Sequence, residues 1–149
     1  MSYNQTEPIL SIARQCASPD LCRRLLEKGA PEGSQFEWVE SREGAFGIRT
    51  RTPSAASLPE ARGRFPAYTV AELFEILRRT GALGRTRLNW STVNGYYYLR
   101  YEQRVPDEEA IELGAADPEL ADAVASLLVE LADAGAIDLD SLVHSDDEE

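Results

Sequence analysis

Apolar residues first fall into a clear period at Val70, Leu73, Phe74 and Leu77, which share one face of a helix. Thr69 stands where an N-cap belongs, and Glu72 follows three positions later as its capping-box partner. Arg78 and Arg79 suit the negative end of the helix dipole, and Gly81 supplies the stop. The period then changes from 3.6 to two. Thr86, Leu88 and Trp90 alternate with Arg85, Arg87 and Asn89, the pattern of a half-buried strand. Asn94-Gly95 predicts a tight turn, because both residues accept positive φ. After it, Tyr97, Leu99 and Tyr101 alternate with Tyr96, Tyr98 and Arg100. Residues 65–104 therefore read as an αββ unit.

A second unit precedes it at residues 18–51. Ser18-Pro19 starts a helix, Leu21, Cys22, Leu25 and Leu26 form its apolar face, and Gly29 ends it. Phe36 and Trp38 alternate with Gln35 and Glu37, Arg42-Glu43-Gly44 turns, and Phe46 and Ile48 lie on a returning strand. A gap-free shift of 52 pairs Leu21 with Leu73, Leu25 with Leu77, Gly29 with Gly81 and Trp38 with Trp90, which reads as an internal duplication. It places both tryptophans at equivalent buried positions. Residues 52–64, rich in Pro, Ser, Ala and Gly, read as a linker. A closing helix is expected over 117–135, with Leu120, Val124, Leu127, Leu128 and Leu131 on one side. Ile9–Ala17 fits either a short strand or a first helical turn. The pattern predicts one α+β domain over 1–143. Its two αββ units form one antiparallel four-stranded sheet, with helices on one face and the last helix closing it.

Charge adds an asymmetry. The 149 residues carry a formal net charge of −11. Residues 1–101 hold 10 acidic and 14 basic side chains, net +4; residues 102–149 hold 16 acidic ones against Arg104, net −15. Fourteen of the 15 basic residues are arginine, which a GC-rich genome produces without any functional cause. Cys16 and Cys22 are separated by five residues, a spacing of neither zinc sites nor redox pairs, and read as ordinary thiols of a reducing compartment. No basic-then-apolar leader and no apolar run of membrane-spanning length occur, so the expected location is the cytoplasm.

Catalytic patterns are sparse. The one histidine, His144, lies in the acidic end, and Asp107, Glu108 and Glu109 are too close in sequence to converge on one site. No metal-binding, phosphate-loop or nucleophile motif is present, so no enzyme activity, metal or cofactor is expected. One constellation remains. If Trp90 and Leu99 face the helices, the other sheet face carries Arg85, Arg87, Tyr96, Tyr98 and Arg100. Interleaved arginines and tyrosines can stack on bases and grip phosphate, or dock a protein. As a plain surface, the same residues would pack across strands.

The run FPAYTVAELFEIL, a Trp-bearing strand, a Tyr-rich strand and the helix PELADAVASLLVELADAG resemble a group of small uncharacterised proteins of bacteriophages and prophages. The upstream LCRRLLEKGAP and QFEWVE are similar too, so the resemblance spans roughly Pro19 to Ile137. It implies an accessory protein of a mobile element. Three functions then compete: a protein-interaction module with an unknown protein partner, a single-stranded nucleic-acid binder, and an acidic decoy for a basic host protein. Residues 144–149 read as a disordered acidic tail with no apolar side chain to bury. Deleting Ser145–Glu149 is expected to leave the melting temperature unchanged within error; a clear loss would mean that the tail docks on the basic front.

Overall fold

The computed structural model describes residues 15–50, 61–104 and 110–142. The acidic tail, His144, Asp107–Glu109 and most of the expected linker lie outside the described residues. The elements are α1 (Pro19–Glu27), β1 (Phe36–Ser41), β2 (Phe46–Thr50), β3 (Ala61–Pro66), α2 (Val70–Arg79), a 3-10 turn (Leu83–Arg85), β4 (Thr86–Ser91), β5 (Tyr96–Gln103), β6 (Ile111–Asp117) and α3 (Leu120–Asp133).

The four-stranded sheet expected from the sequence does not form. There are two separate three-stranded antiparallel sheets, ordered β2-β1-β3 and β4-β5-β6. Each hairpin takes its third strand from a stretch that lacks strand-forming composition. β3 is ARGRFP, at the end of the expected linker, and β6 is IELGAAD. The two sheets also recruit differently: β3 pairs with β1, whereas β6 pairs with β5. The first strand of the first hairpin is thus central, and its counterpart β4 is an edge.

α3 is a central support rather than a lid. It packs on β5 and β6 and against both α1 and α2. Eight of its residues are buried, among them Ala121, Ala123 and Ala125, whose small side chains let neighbours approach closely, and Leu127, Leu128 and Leu131. α1 runs alongside it in the same direction. The Asp122 carboxylate accepts the Ser18 backbone N–H at 2.6 Å near both helix starts, and Lys28 pairs with Asp133 at both ends. Burial raises the pKa of Asp122, with the Ser18 hydrogen bond working against that rise.

Helix ends follow one recipe. Gly29, Gly81 and Gly135 take φ of +101°, +83° and +75°, and the following alanine donates its N–H to a leucine carbonyl five residues back, at 2.9 to 3.0 Å. Those leucines, Leu25, Leu77 and Leu131, are fully buried. This is the Schellman stop, in which a left-handed residue lets the chain satisfy the orphan carbonyls. A Cβ at Gly29 would also lie 2.1 Å from Asp140 Oδ1, so the Asp140 side chain would have to turn away. At the start of α2 the capping box forms as expected, and Glu72 does more. Its carboxylate also accepts Ser34 Oγ (2.8 Å) and Gln35 N (2.9 Å), pinning the entry of β1 to α2.

The outer face of the first sheet holds an ion triad, a buried carboxylate under two partly exposed arginines. Glu37, 2% exposed, pairs with Arg49 at 2.6 Å and Arg64 at 3.1 Å. Burial alone would raise its pKa, but the hydrogen bonds and charges of the two arginines outweigh that and hold it below the ordinary 4.5. A depressed carboxyl stabilises the fold above its unfolded-state pKa and loses that contribution as pH falls through the folded value. Glu37→Gln is expected to cost ~1.5–3 kcal/mol near pH 7, the worth of hydrogen bonds to a charged group. Chemical denaturation from pH 7 down to pH 3 should show wild type and variant converging at the acid end, below 4.5. A gap that stays constant would mean that Glu37 carries no linked proton.

Candidate functional site

The second hairpin folds in the alternation read from its sequence. Register pairs Arg87 with Arg100, Asn89 with Tyr98 and Ser91 with Tyr96, so these side chains share the outer face. Leu99 and Tyr101 point the other way and are buried under α3. Of the five candidate residues, Arg87, Tyr96, Tyr98 and Arg100 are therefore brought together and exposed. Arg85 sits just before β4, in the 3-10 turn, and is also exposed.

The two tyrosines are each 39% exposed, with ring centroids 6.3 Å apart. Asn94 Nδ2 donates to the Tyr98 hydroxyl at 2.6 Å, which fixes the ring against the turn. The arginines differ. Arg100 pairs with Glu112 of β6 at 2.8 Å, which keeps it firmly protonated. Arg85 and Arg87 make no ion pair among the described residues. Glu102 lies directly opposite Glu112 on the same face, so the face carries both signs of charge.

Sequence reasoning missed β6 and with it half of the site. Its outward positions are Glu112, Gly114 and Ala116, two of which leave a gap. A shallow trough of about 480 Å³ runs there, lined by Asn89, Tyr98, Arg100, Gly114 and Ala116. The gap follows from close approach of the chains: a Cβ at Gly114 would stand 3.1 Å from the Leu99 carbonyl oxygen. Only the alternation Ile111, Leu113, Ala115 against Glu112, Gly114, Ala116 carried a signal for this strand, and Ala and Gly are weak strand formers.

The expected equivalence of Trp38 and Trp90 fails. Trp38 is 8% exposed and donates its indole N–H to the Ala17 carbonyl at 3.0 Å. Trp90 is 51% exposed, its ring 4.4 Å from Tyr97, and Leu88 beside it is 44% exposed. Both tryptophans point to the helix side of their sheets. Trp38 lies on a central strand under the helix layer, whereas Trp90 lies on an edge and α3 reaches over β5 and β6 instead.

The remaining chemistry is structural. Cys16 and Cys22 are buried, and desolvation pushes both thiols up to about 12. A groove of about 250 Å³ beside α2 is lined by Pro31, Tyr68, Glu72 and Arg79, but the Glu72 carboxylate there is already taken by the cap and by Ser34 and Gln35. Among the described residues no group of three or more His, Cys, Asp or Glu side chains could hold a metal, and no helix is long and apolar enough to cross a membrane. No family model, no curated protein and no solved structure matches this chain.

The contrast between the tryptophans is measurable. In Trp38→Phe, Trp90 is the sole indole, and at high dilution it should emit at long wavelength and be quenched readily by iodide. Trp90→Phe should emit further to the blue and resist quenching. Trp38→Ala should cost ~3–5 kcal/mol, and Trp90→Ala less than about 1 kcal/mol. Equal quenching of the two single-tryptophan proteins would refute this placement.

Proposed function

We propose that this chain is a non-enzymatic protein-interaction module of a phage-type mobile element, acting in the cytoplasm and docking a protein partner on the outer face of its second sheet. The carrying observation is the trough over Gly114 and Ala116, walled by Tyr98 and flanked by the uncommitted Arg87. Exposed tyrosine and arginine around a small-residue floor are the side chains enriched at protein interfaces. The partner that fits presents an apolar side chain for the trough and a carboxylate for Arg87 or Arg85.

A single-stranded nucleic acid is the competing occupant. Tyr96 and Tyr98 offer ring faces for it, but Glu102 and Glu112 share the sheet face and Arg100 is already paired. A phosphodiester chain would meet two carboxylates and a net charge of −11, which favours the protein. The decoy reading draws on the acid-rich end and has no defined surface in support. The mobile-element setting rests on the sequence resemblance.

The test is affinity capture from host extract with tagged full-length protein, with and without nuclease, repeated with Tyr98→Ala and Arg87→Glu. A protein that survives nuclease, binds the purified chain directly and is lost with both variants is the expected result. Both substitutions are on exposed positions and should change the unfolding free energy by less than about 1 kcal/mol. Capture that disappears with nuclease would transfer the face to nucleic acid. Capture that ignores both substitutions would remove this face from the function.

A further inference from the structure

β4 lacks the devices that keep sheet edges apart. Edge strands of stable monomers carry proline, bulges or inward-pointing charges, because their free N–H and C=O groups otherwise template pairing with another chain. The β3 edge of the first sheet has two such devices: its register shifts at Glu40/Ser41, and it ends on Pro66. At the β2 edge, Arg23 of α1 reaches over the Phe46 ring at 5.6 Å and pairs with Glu40. β4, TRLNWS, has no proline, no bulge in its register with β5, and no inward charge. Its inward side chains Leu88 and Trp90 are instead apolar groups left largely uncovered, at 44% and 51% exposed, more than Phe46 on the β2 edge at 38%.

We infer that the β4 edge pairs antiparallel with β4 of a second copy of this chain, around a two-fold axis at Leu88, joining two three-stranded sheets into one of six. The strand is self-complementary in that register. Leu88 meets Leu88 of the second copy, Trp90 meets Thr86, Arg87 meets Asn89, and Arg85 meets Ser91. No two like charges stand directly opposite, and β4 holds no acidic residue. The pairing would cover Leu88 and Trp90 with apolar surface on the helix side, and satisfy the open backbone groups together with them. On the other side it would make one continuous face, bringing Arg85, Arg87, Tyr96 and Tyr98 of both copies together. The second copy thus contributes arginines to the docking face proposed above. The association itself does not depend on that proposal and stands or falls separately.

The charge balance gives the pairing a signature. Each copy carries −11, so the copies repel at long range while their contact is apolar and hydrogen-bonded. Salt screens the repulsion and should strengthen the association, opposite to an interface held by ion pairs.

The test is the mass of the full-length chain in solution, by sedimentation or light scattering over a concentration series at low and moderate salt. A mass of two chains is expected, more populated at higher salt. Leu88→Lys, which puts an inward charge on the edge, should weaken association more than about tenfold, with an unchanged far-UV circular dichroism spectrum as the control for folding. In a Trp38→Phe background, emission from Trp90 should move to the blue as the dimer forms. Leu88→Cys should yield an intermolecular disulfide on mild oxidation and Arg87→Cys should not, because only the residue on the axis meets itself. A single-chain mass at every soluble concentration would overturn the inference, as would a dimer that survives Leu88→Lys. A dimer of the expected kind with no captured partner would leave this inference intact and remove the docking proposal alone.

Discussion

The fold depends on one helix being wrapped on several sides. α3 offers no broad polar stripe: Ala121, Val124, Leu128 and Leu131 are as fully buried as Ala123, Ala125 and Leu127. A helix apolar around most of its circumference is unstable until neighbours cover it. Here β5 and β6 take one side, and α1 and α2 the others. Neither sheet is a core by itself, since a three-stranded sheet needs a partner layer to bury its apolar face. The end-to-end ties Ser18–Asp122 and Lys28–Asp133 then fix how α1 lies along the shared helix. The segment after α3 folds back as well, with Leu139 and Leu142 buried and Asp140 against Gly29.

Much of this was legible wherever a local rule and the tertiary structure agree. The capping box Thr69/Glu72, the glycine stops and the hairpin alternation from Thr86 to Tyr101 are short-range chemistry, and each formed as the residues imply. What was not legible is who pairs with whom. β3 and β6 are strands because a neighbouring hairpin offers free backbone groups, not because Arg-Gly-Arg or Gly-Ala-Ala favours extension. The shift of 52 residues captured two similar helices and hairpins, but nothing local says that the third strand joins β1 in one sheet and β5 in the other. That choice alone decides that Trp38 is central and Trp90 is not. The Arg/Tyr face was legible from alternation; its carboxylates and its trough were not, because both come from β6.

The two faces of the second sheet illustrate different uses of the same edge. On the helix side, the uncovered Leu88 and Trp90 follow from α3 reaching over β5 and β6 but not to the end of the sheet. On the outer side, cross-strand Arg87 and Arg100 are tolerated because Glu112 neutralises the second. The first sheet is more fully covered: Glu37 draws Arg49 and Arg64 over its outer face and α1 packs on β3, which leaves Phe46 on the β2 edge as its exposed large apolar side chain. The asymmetry in exposed groups therefore arises from strand order, which uncovers Leu88 and Trp90, together with the tyrosines that only the second hairpin carries.

The position of α3 in the chain has a consequence for synthesis. A ribosome releases α1, α2, β5 and β6 before the residues from Leu120 onward, yet all four pack on α3. Until α3 emerges, the apolar sides of α1, α2 and the second sheet lack that partner, a state exposed to chaperones and to premature association. The core around α3 must wait for that helix, so a message cut short before it would leave the apolar faces of α1, α2 and the second sheet bare.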